Sequence, residues 1–180
     1  MHVVQPPASL AATNHPLQLA ILQGAIMPRR LFLSVALAAA PLLAQSTDPI
    51  VHNTADLNQR EAKLLTAAKA SPGGVAFDTF DDFGSYKTLL VVRVHTGDAE
   101  LHHDWADQMI ITKGTVTLVT GGTIQGGHTT APGETRGPGI EGGKEVILHA
   151  GEIAHIAANV PHWVKLAPGT TTTYLIVKEK

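Results

Sequence analysis

Between Gly97 and Gly114 the chain reads GDAELHHDWADQMIITKG, crowding two histidines and the acids Glu100, Asp104 and Asp107 into one short stretch. Imidazole nitrogens and carboxylate oxygens are donors for a divalent metal ion, and a sequence without cysteine has no thiolate to offer instead. Which donors meet depends on how the flanking strands face each other, because side chains alternate sides along a strand. If the strand ending at His102 or His103 folds back on the one beginning at Asp107, two registers arise. A four-residue loop sets His102 against Asp107 and gathers Glu100, His102, Asp107, Met109 and Ile111 on one face. A three-residue loop sets His103 against Asp107 and turns Glu100 and His102 away. The first register collects three ligands and the second two. Burying Glu100 and Asp107 is costly unless a cation or hydrogen bonds compensate, so the first register points to His102 as the ligand and leaves His103 as the alternative.

A second signal lies in GEIAHIAANVPHWVKL, residues 151–166. After the break Ala158-Asn159-Val160-Pro161, His162 shares a strand face with Val164 and Leu166, while Trp163 and Lys165 take the other. A lone histidine on an apolar face is most often a satisfied core residue. With the carboxylate–histidine stretch upstream, His162 reads as a further ligand. Among other residues, His155 is a weaker inward candidate, and His149 and Trp163 read as structural. His95 and His128 read as rim or solvated side chains, Glu134 and Arg136 as a local pair, and Trp105 as an exposed aromatic for a subunit contact.

The elements that must position these groups are short β segments. From Tyr86 onward, YKTLLVVRV, AELHH, DQMIITK, TVTLVT, KEVILH, EIAHIAA, PHWVKL and TTTYLIVK are separated by Gly, Pro or Asp breaks, with no helix between them. That pattern predicts an all-β sandwich or barrel. Residues 121–143 are too rich in Gly, Pro and Thr for a core element and read as one long loop, functional or mobile. Before the β region, Leu57, Leu64, Leu65 and Ala68 lie on one helical stripe, capped at Asn53 or Thr54 and ended by Ser71-Pro72-Gly73-Gly74. This predicts one helix packed on the outside of the β domain.

The N-terminal part has another character. MPRRLFLSVALAAAPLLAQSTD, from Met27, has the basic start, short apolar run and small residues of a secretory signal peptide over 27–44. The run is too short to span a bilayer, so no stable membrane insertion is expected after cleavage near Ala44. Residues 1–26 carry no acid and no repeat and read as an upstream start segment outside the native protein. The expected layout is therefore an extension with the helix over 45–75, a β domain over 76–180, and a periplasmic or secreted location. A formal net charge of -2 lacks the basic footprint of a nucleic-acid binder.

Together the two histidine segments resemble the cupin superfamily. Its first motif is matched by Gly97, the pair Glu100/His102, four residues, Asp107, six residues and Gly114. Its second is matched by Gly151, five residues, Ala157-Ala158-Asn159, two residues and His162. The chain departs from the pattern where Glu100 replaces the first His, Asp107 the Glu, Ala157 the Pro and Asn159 the Gly. Asn tolerates the left-handed backbone that such a turn requires. The family Asn after the last His is absent. The resemblance covers about Tyr86 to Lys178 and implies a double-stranded β-helix, a jelly-roll barrel. It implies one divalent metal ion held by His102, Asp107 and His162, with Glu100 as a fourth ligand or general base. Such an N/O set suits Mn, Fe, Ni or Zn, and Glu100 in place of a histidine lowers the redox potential or favours Mn(II) and Zn(II). A homodimer is a further implication. The expected function is a small-molecule enzyme of isomerase, lyase or dioxygenase type. The alternative is a non-catalytic module that binds a sugar or other polar ligand, since the fold does not choose the reaction.

Overall fold

The computed structural model describes residues 48–180, so the upstream segment 1–26 and the signal peptide expected over 27–44 lie outside the described residues. The described part begins with helix α1 (Thr54–Ala70). The Asn53 side chain caps it, accepting a hydrogen bond from the Asp56 N–H at 3.1 Å. Asp56 in the first turn and Lys69 in the last suit the helix dipole. The apolar stripe buries Leu64 and Ala68 against Leu90 and Val92 of the sheet beneath, so the helix sits outside the barrel as expected.

Strands β1 (Val75–Asp82), β2 (Tyr86–Arg93), β3 (Ala99–His102), β4 (Ala106–Lys113) and β5 (Thr115–Thr120) follow. Short strands β6 (Thr123–Gln125), β7 (His128–Ala131), β8 (Glu134–Gly137) and β9 (Gly139–Glu141) come next. The chain closes with β10 (Lys144–His149), β11 (Ile153–Ile156), β12 (His162–Lys165) and β13 (Thr172–Glu179). One sheet has the order β1-β2-β13-β4-β11 and the other β10-β5-β12-β3-β8-β7, while β6 and β9 pair separately. Without the edge additions β1, β8 and β7, the cores are β2-β13-β4-β11 and β10-β5-β12-β3, with the chain passing repeatedly between them. Two interlocked Greek keys of this kind form a jelly roll. The fold is the all-β jelly-roll barrel that the resemblance implied, with the one external helix that the apolar stripe predicted.

Inward residues of both sheets fill one end with Met109, Ile111, Val116, Leu118, Val164, Tyr174 and Ile176. On β4 the buried positions are Asp107, Met109 and Ile111, the period-two pattern of a half-buried strand. The same inward faces therefore carry apolar groups deep in the barrel and polar ones towards its mouth.

Two expectations are corrected. First, β3 and β4 do not form a hairpin ladder: β3 pairs with β12 and β8, and β4 with β13 and β11. Residues 103–105 carry the chain from one sheet to the other, so His102 and Asp107 meet across the barrel rather than across a ladder. Second, residues 121–143 are not one loop but contain β6 to β9. Glycines with positive φ, among them Gly126 and Gly133, let this segment reverse within a few residues. Here β7 is exposed and β8 half-buried, and neither shows apolar alternation, because an edge ladder is held by backbone hydrogen bonds that need no apolar side chain.

Candidate metal centre

Four side chains meet inside the barrel, two from β3 and one each from β4 and β12. Glu100 and His102 lie on β3, and His162 is the cross-strand partner of Glu100 in the adjacent β12. Asp107 arrives from the opposite sheet. His102, Asp107 and His162 are all buried, and His103, one residue on, is exposed. One ligand atom each from Glu100, His102 and His162 lies within 4.8 Å of the other two, a spacing able to hold a metal ion. Asp107 Oδ2 lies beside this group, 3.5 Å from His102 Nε2 and 3.7 Å from His162 Nε2. Glu100 Oε2 is 3.5 Å from His102 Nε2.

The turn before β12 fixes this meeting. Asn159, at φ 63°, is the non-glycine residue with positive φ among the described residues. Its N–H donates to the His102 carbonyl at 2.7 Å, and the turn closes from Val160 N–H to Ala157 O at 3.3 Å. The left-handed residue expected at this position thus ties the end of β3 to the start of β12.

Each of the four side chains is also held from behind. Arg136 grips Glu100 Oε1 at 2.6 Å, and Lys178 grips Asp107 Oδ1 at 2.6 Å. His102 Nδ1 meets Glu134 Oε2 at 2.5 Å, and His162 Nδ1 lies 3.2 Å from the Val160 carbonyl. Carbonyl and carboxylate oxygens only accept hydrogen bonds, so both imidazoles carry their proton on Nδ1 when neutral, leaving the Nε2 lone pairs inward. Inward-facing Nε2 atoms backed by such acceptors are the arrangement of metal-bound histidines. The donor set of Glu100, His102 and His162 therefore fits a divalent ion, with Asp107 beside it.

The charges are mutually supporting. Burial alone would raise the Glu100 carboxyl, but Arg136, with His162 and Arg93, holds it below its ordinary value. Burial would likewise raise Asp107, and the contacts with His102 and Lys178 outweigh it, so this carboxyl too is lowered. For His102, the Asp107 contact overcomes the downward effect of burial and raises the imidazole. His162, more deeply enclosed, is lowered by burial.

A cavity of about 340 Å³ opens beside the cluster, bounded by Glu100, His102, Glu134, Arg136, His162 and Lys178 on its polar side. Trp105 lines it too, with Lys87 and Lys180 ammonium groups 5.2 and 4.7 Å from the ring centroid. This replaces the exposed aromatic expected at a hairpin tip: with no hairpin there, the crossing between the sheets lays Trp105 over the barrel mouth. Glu134 and Arg136, expected to pair locally, instead reach His102 and Glu100. They stand opposite those residues in the β3–β8 register and share one face by strand alternation. His155 is exposed rather than inward, because it is Ile156 that β11 buries. His95 and His128 are exposed as expected, and Trp163 is structural, donating from Nε1 to the Gly97 carbonyl at 2.6 Å. Lys178 was not foreseen, since nothing local in β13 announces its partner.

No family model and no curated protein matches the chain. Among solved structures, a recombinant oxalate oxidase in complex with glycolate is similar at 13% identity and TM-score 0.45, covering 62% of this chain and 53% of that one. The crystal structure of FeII HppE is similar at 17% identity and TM-score 0.44, covering 59% of this chain and 50% of that one. KdgF from Halomonas sp. is similar at 11% identity and TM-score 0.43, covering 61% of this chain and 82% of that one. The chain thus spans about half the length of the first two.

Proposed function

We propose that this protein is a cupin-type metal protein that binds one divalent ion through His102, His162, Asp107 and Glu100 and acts on a small molecule in the adjoining cavity. The observation that carries the reading is the outward tether on each of the four side chains. Glu134, the Val160 carbonyl, Lys178 and Arg136 each occupy one polar atom and leave another facing a common point. A bound Mn, Fe, Ni or Zn ion would supply Lewis-acid or redox chemistry there. The chain's own part is to orient the ligands, to keep both carboxylates ionised, and to present apolar walls that keep much of the water away. Where Glu100 does not ligate the ion, its ionised carboxylate, bordering the cavity, is the group offered as general base, with its basicity moderated by Arg136.

Export to the periplasm or the exterior is part of the proposal, supported by the signal-peptide pattern of residues 27–44. A homodimer is proposed as well. Exposed Val146 and Ile147 on edge strand β10, and Ile153 on edge strand β11, support an apolar contact there. Titration of metal-free protein with Mn(II) and with Zn(II), followed calorimetrically, tests the metal reading. One ion bound per chain, lost in His162→Ala, supports it. Heat of binding unchanged by that substitution would remove it.

A further inference from the structure

Arg93, the last residue of β2, is 4% exposed and lies against both the cavity and the metal cluster. A guanidinium has five N–H donors and no acceptor, so burying one calls for several close partners. Arg93 has few. Its Nε donates to the Tyr174 hydroxyl at a long 3.4 Å, its Nη2 stands 3.8 Å from Glu100 Oε1, and its Nη1 is buried with no hydrogen-bond partner. The nearest carboxylate is already gripped by Arg136 at 2.6 Å. Gly97 leaves room for this guanidinium, since a Cβ there would collide with Nη1. A second cavity, about 460 Å³, runs along Gly97 and shares Arg93, Glu100 and Arg136 with the first. A buried cation at the wall of two cavities, with Glu100 and Asp98 as its carboxylate neighbours, is under-supplied with close acceptors and keeps one Nη without a hydrogen-bond partner.

The charges of the cluster lead to the same conclusion. The acids Asp98, Glu100, Asp107 and Glu134 stand against the cations Lys87, Arg93, Arg136 and Lys178, four of each. A divalent ion adds two positive charges to this balanced set, in surroundings where uncompensated charge is costly. Part of the cavity wall is apolar, with Leu89, Val91, Met109, Val164 and Ile176, while Thr79, Lys87 and Asp98 add polar groups elsewhere. Such a wall suits a short hydrocarbon body.

We infer that the cavity takes a small organic carboxylate, whose carboxylate group is received by Arg93 while its body lies against the apolar wall. The inference builds on the proposed metal site, but Arg93 provides the anion contact with or without the ion. A planar guanidinium fork matches a carboxylate in geometry and charge, which gives Arg93 a specificity role for substrate binding.

The test is calorimetric binding of acetate, lactate and succinate against acetamide, lactamide and succinamide at constant ionic strength. It uses metal-free and Mn(II)-loaded protein, with the metal content of each sample measured in parallel. Wild type is expected to prefer at least one carboxylate over its amide by about tenfold or more, as a charge-assisted fork contact implies. Arg93→Met is expected to abolish that preference. Arg93→Lys, which keeps the buried charge and tests the point should Arg93→Met not fold, is expected to lose about tenfold because the fork is gone. Amides binding as well as their carboxylates, or Arg93→Lys binding carboxylates as wild type does, would overturn the inference. Protein that takes up metal yet ignores Arg93 in carboxylate binding sinks this inference and spares the metal site. Protein that takes up no metal but binds carboxylates through Arg93 does the reverse.

Discussion

Replacing Glu134 by Ala removes the acceptor behind His102 without touching any atom proposed to face the metal. In the wild type the His102 Nδ1 proton is shared with Glu134 Oε2 at 2.5 Å, which fixes the ring orientation and strengthens Nε2 as a donor. Without it the ring can flip or change tautomer, and Nε2 is a ligand only part of the time. Losses of such backing groups typically weaken metal binding by about 10-fold to 100-fold, or about 1.4 to 2.8 kcal/mol. Glu134→Gln keeps an acceptor oxygen and belongs at the lower end of that range. Glu134 itself is 27% exposed, so water replaces part of what is lost and metal-free stability changes by no more than about 1 kcal/mol. Competition with a chromophoric chelator gives the affinity, and urea denaturation gives the stability. The reasoning fails if Glu134→Ala binds metal within about twofold of wild type, because the tether would then do nothing for the ligand.

Lys178→Met leaves Asp107, 6% exposed, without its cation, and is expected to lower metal-free stability by about 3 kcal/mol in urea denaturation. Adding Asp107→Asn should recover most of the loss, and no recovery would argue against the pairing. Asn159→Ala forces a Cβ-branching-free but still left-handed-averse residue to φ 63° and should cost about 1 kcal/mol, whereas Asn159→Gly should stay near wild type. Equal stability of Ala and Gly at this position would contradict the turn geometry. The His102 imidazole, raised above 6.5 by Asp107 despite burial, holds its proton more tightly folded than unfolded. In metal-free protein that stabilisation is present below 6.5 and is lost as pH rises through the raised value. Metal must displace the same proton, so its affinity is expected to climb with pH and level off only above 6.5; a plateau already reached below 6.5 would contradict the shift.

What the sequence revealed and what it hid divide along the range of the interactions. Strand alternation places Glu100 with His102, Asp107 with Met109 and Ile111, and His162 with Val164 on inward faces, and each of these is a local property. Asn159 was legible for the same reason, since few residues adopt a positive φ. A short link between two strands, by contrast, looks alike whether they pair in a ladder or lie in opposing sheets. The expected hairpin was therefore replaced by a crossing, while the inward set it gathered still meets across the barrel. Glu134 and Arg136 come from a segment without apolar periodicity, and their role appears only when β8 joins the edge at β3. Lys178 lies 71 residues beyond Asp107, and Arg93 and Tyr174 are 81 apart, so no local pattern links either pair.

The central claim is that His102, and not His103, belongs to a metal site inside the barrel. Elemental analysis of residues 45–180, purified without a histidine tag, tests it most directly when His102→Ala and His103→Ala are measured beside the wild type. Near-stoichiometric Mn, Fe, Ni or Zn in wild type and His103→Ala, with loss in His102→Ala, is the expected result. Metal retained in His102→Ala, or absent from wild type even after reconstitution, would contradict the account.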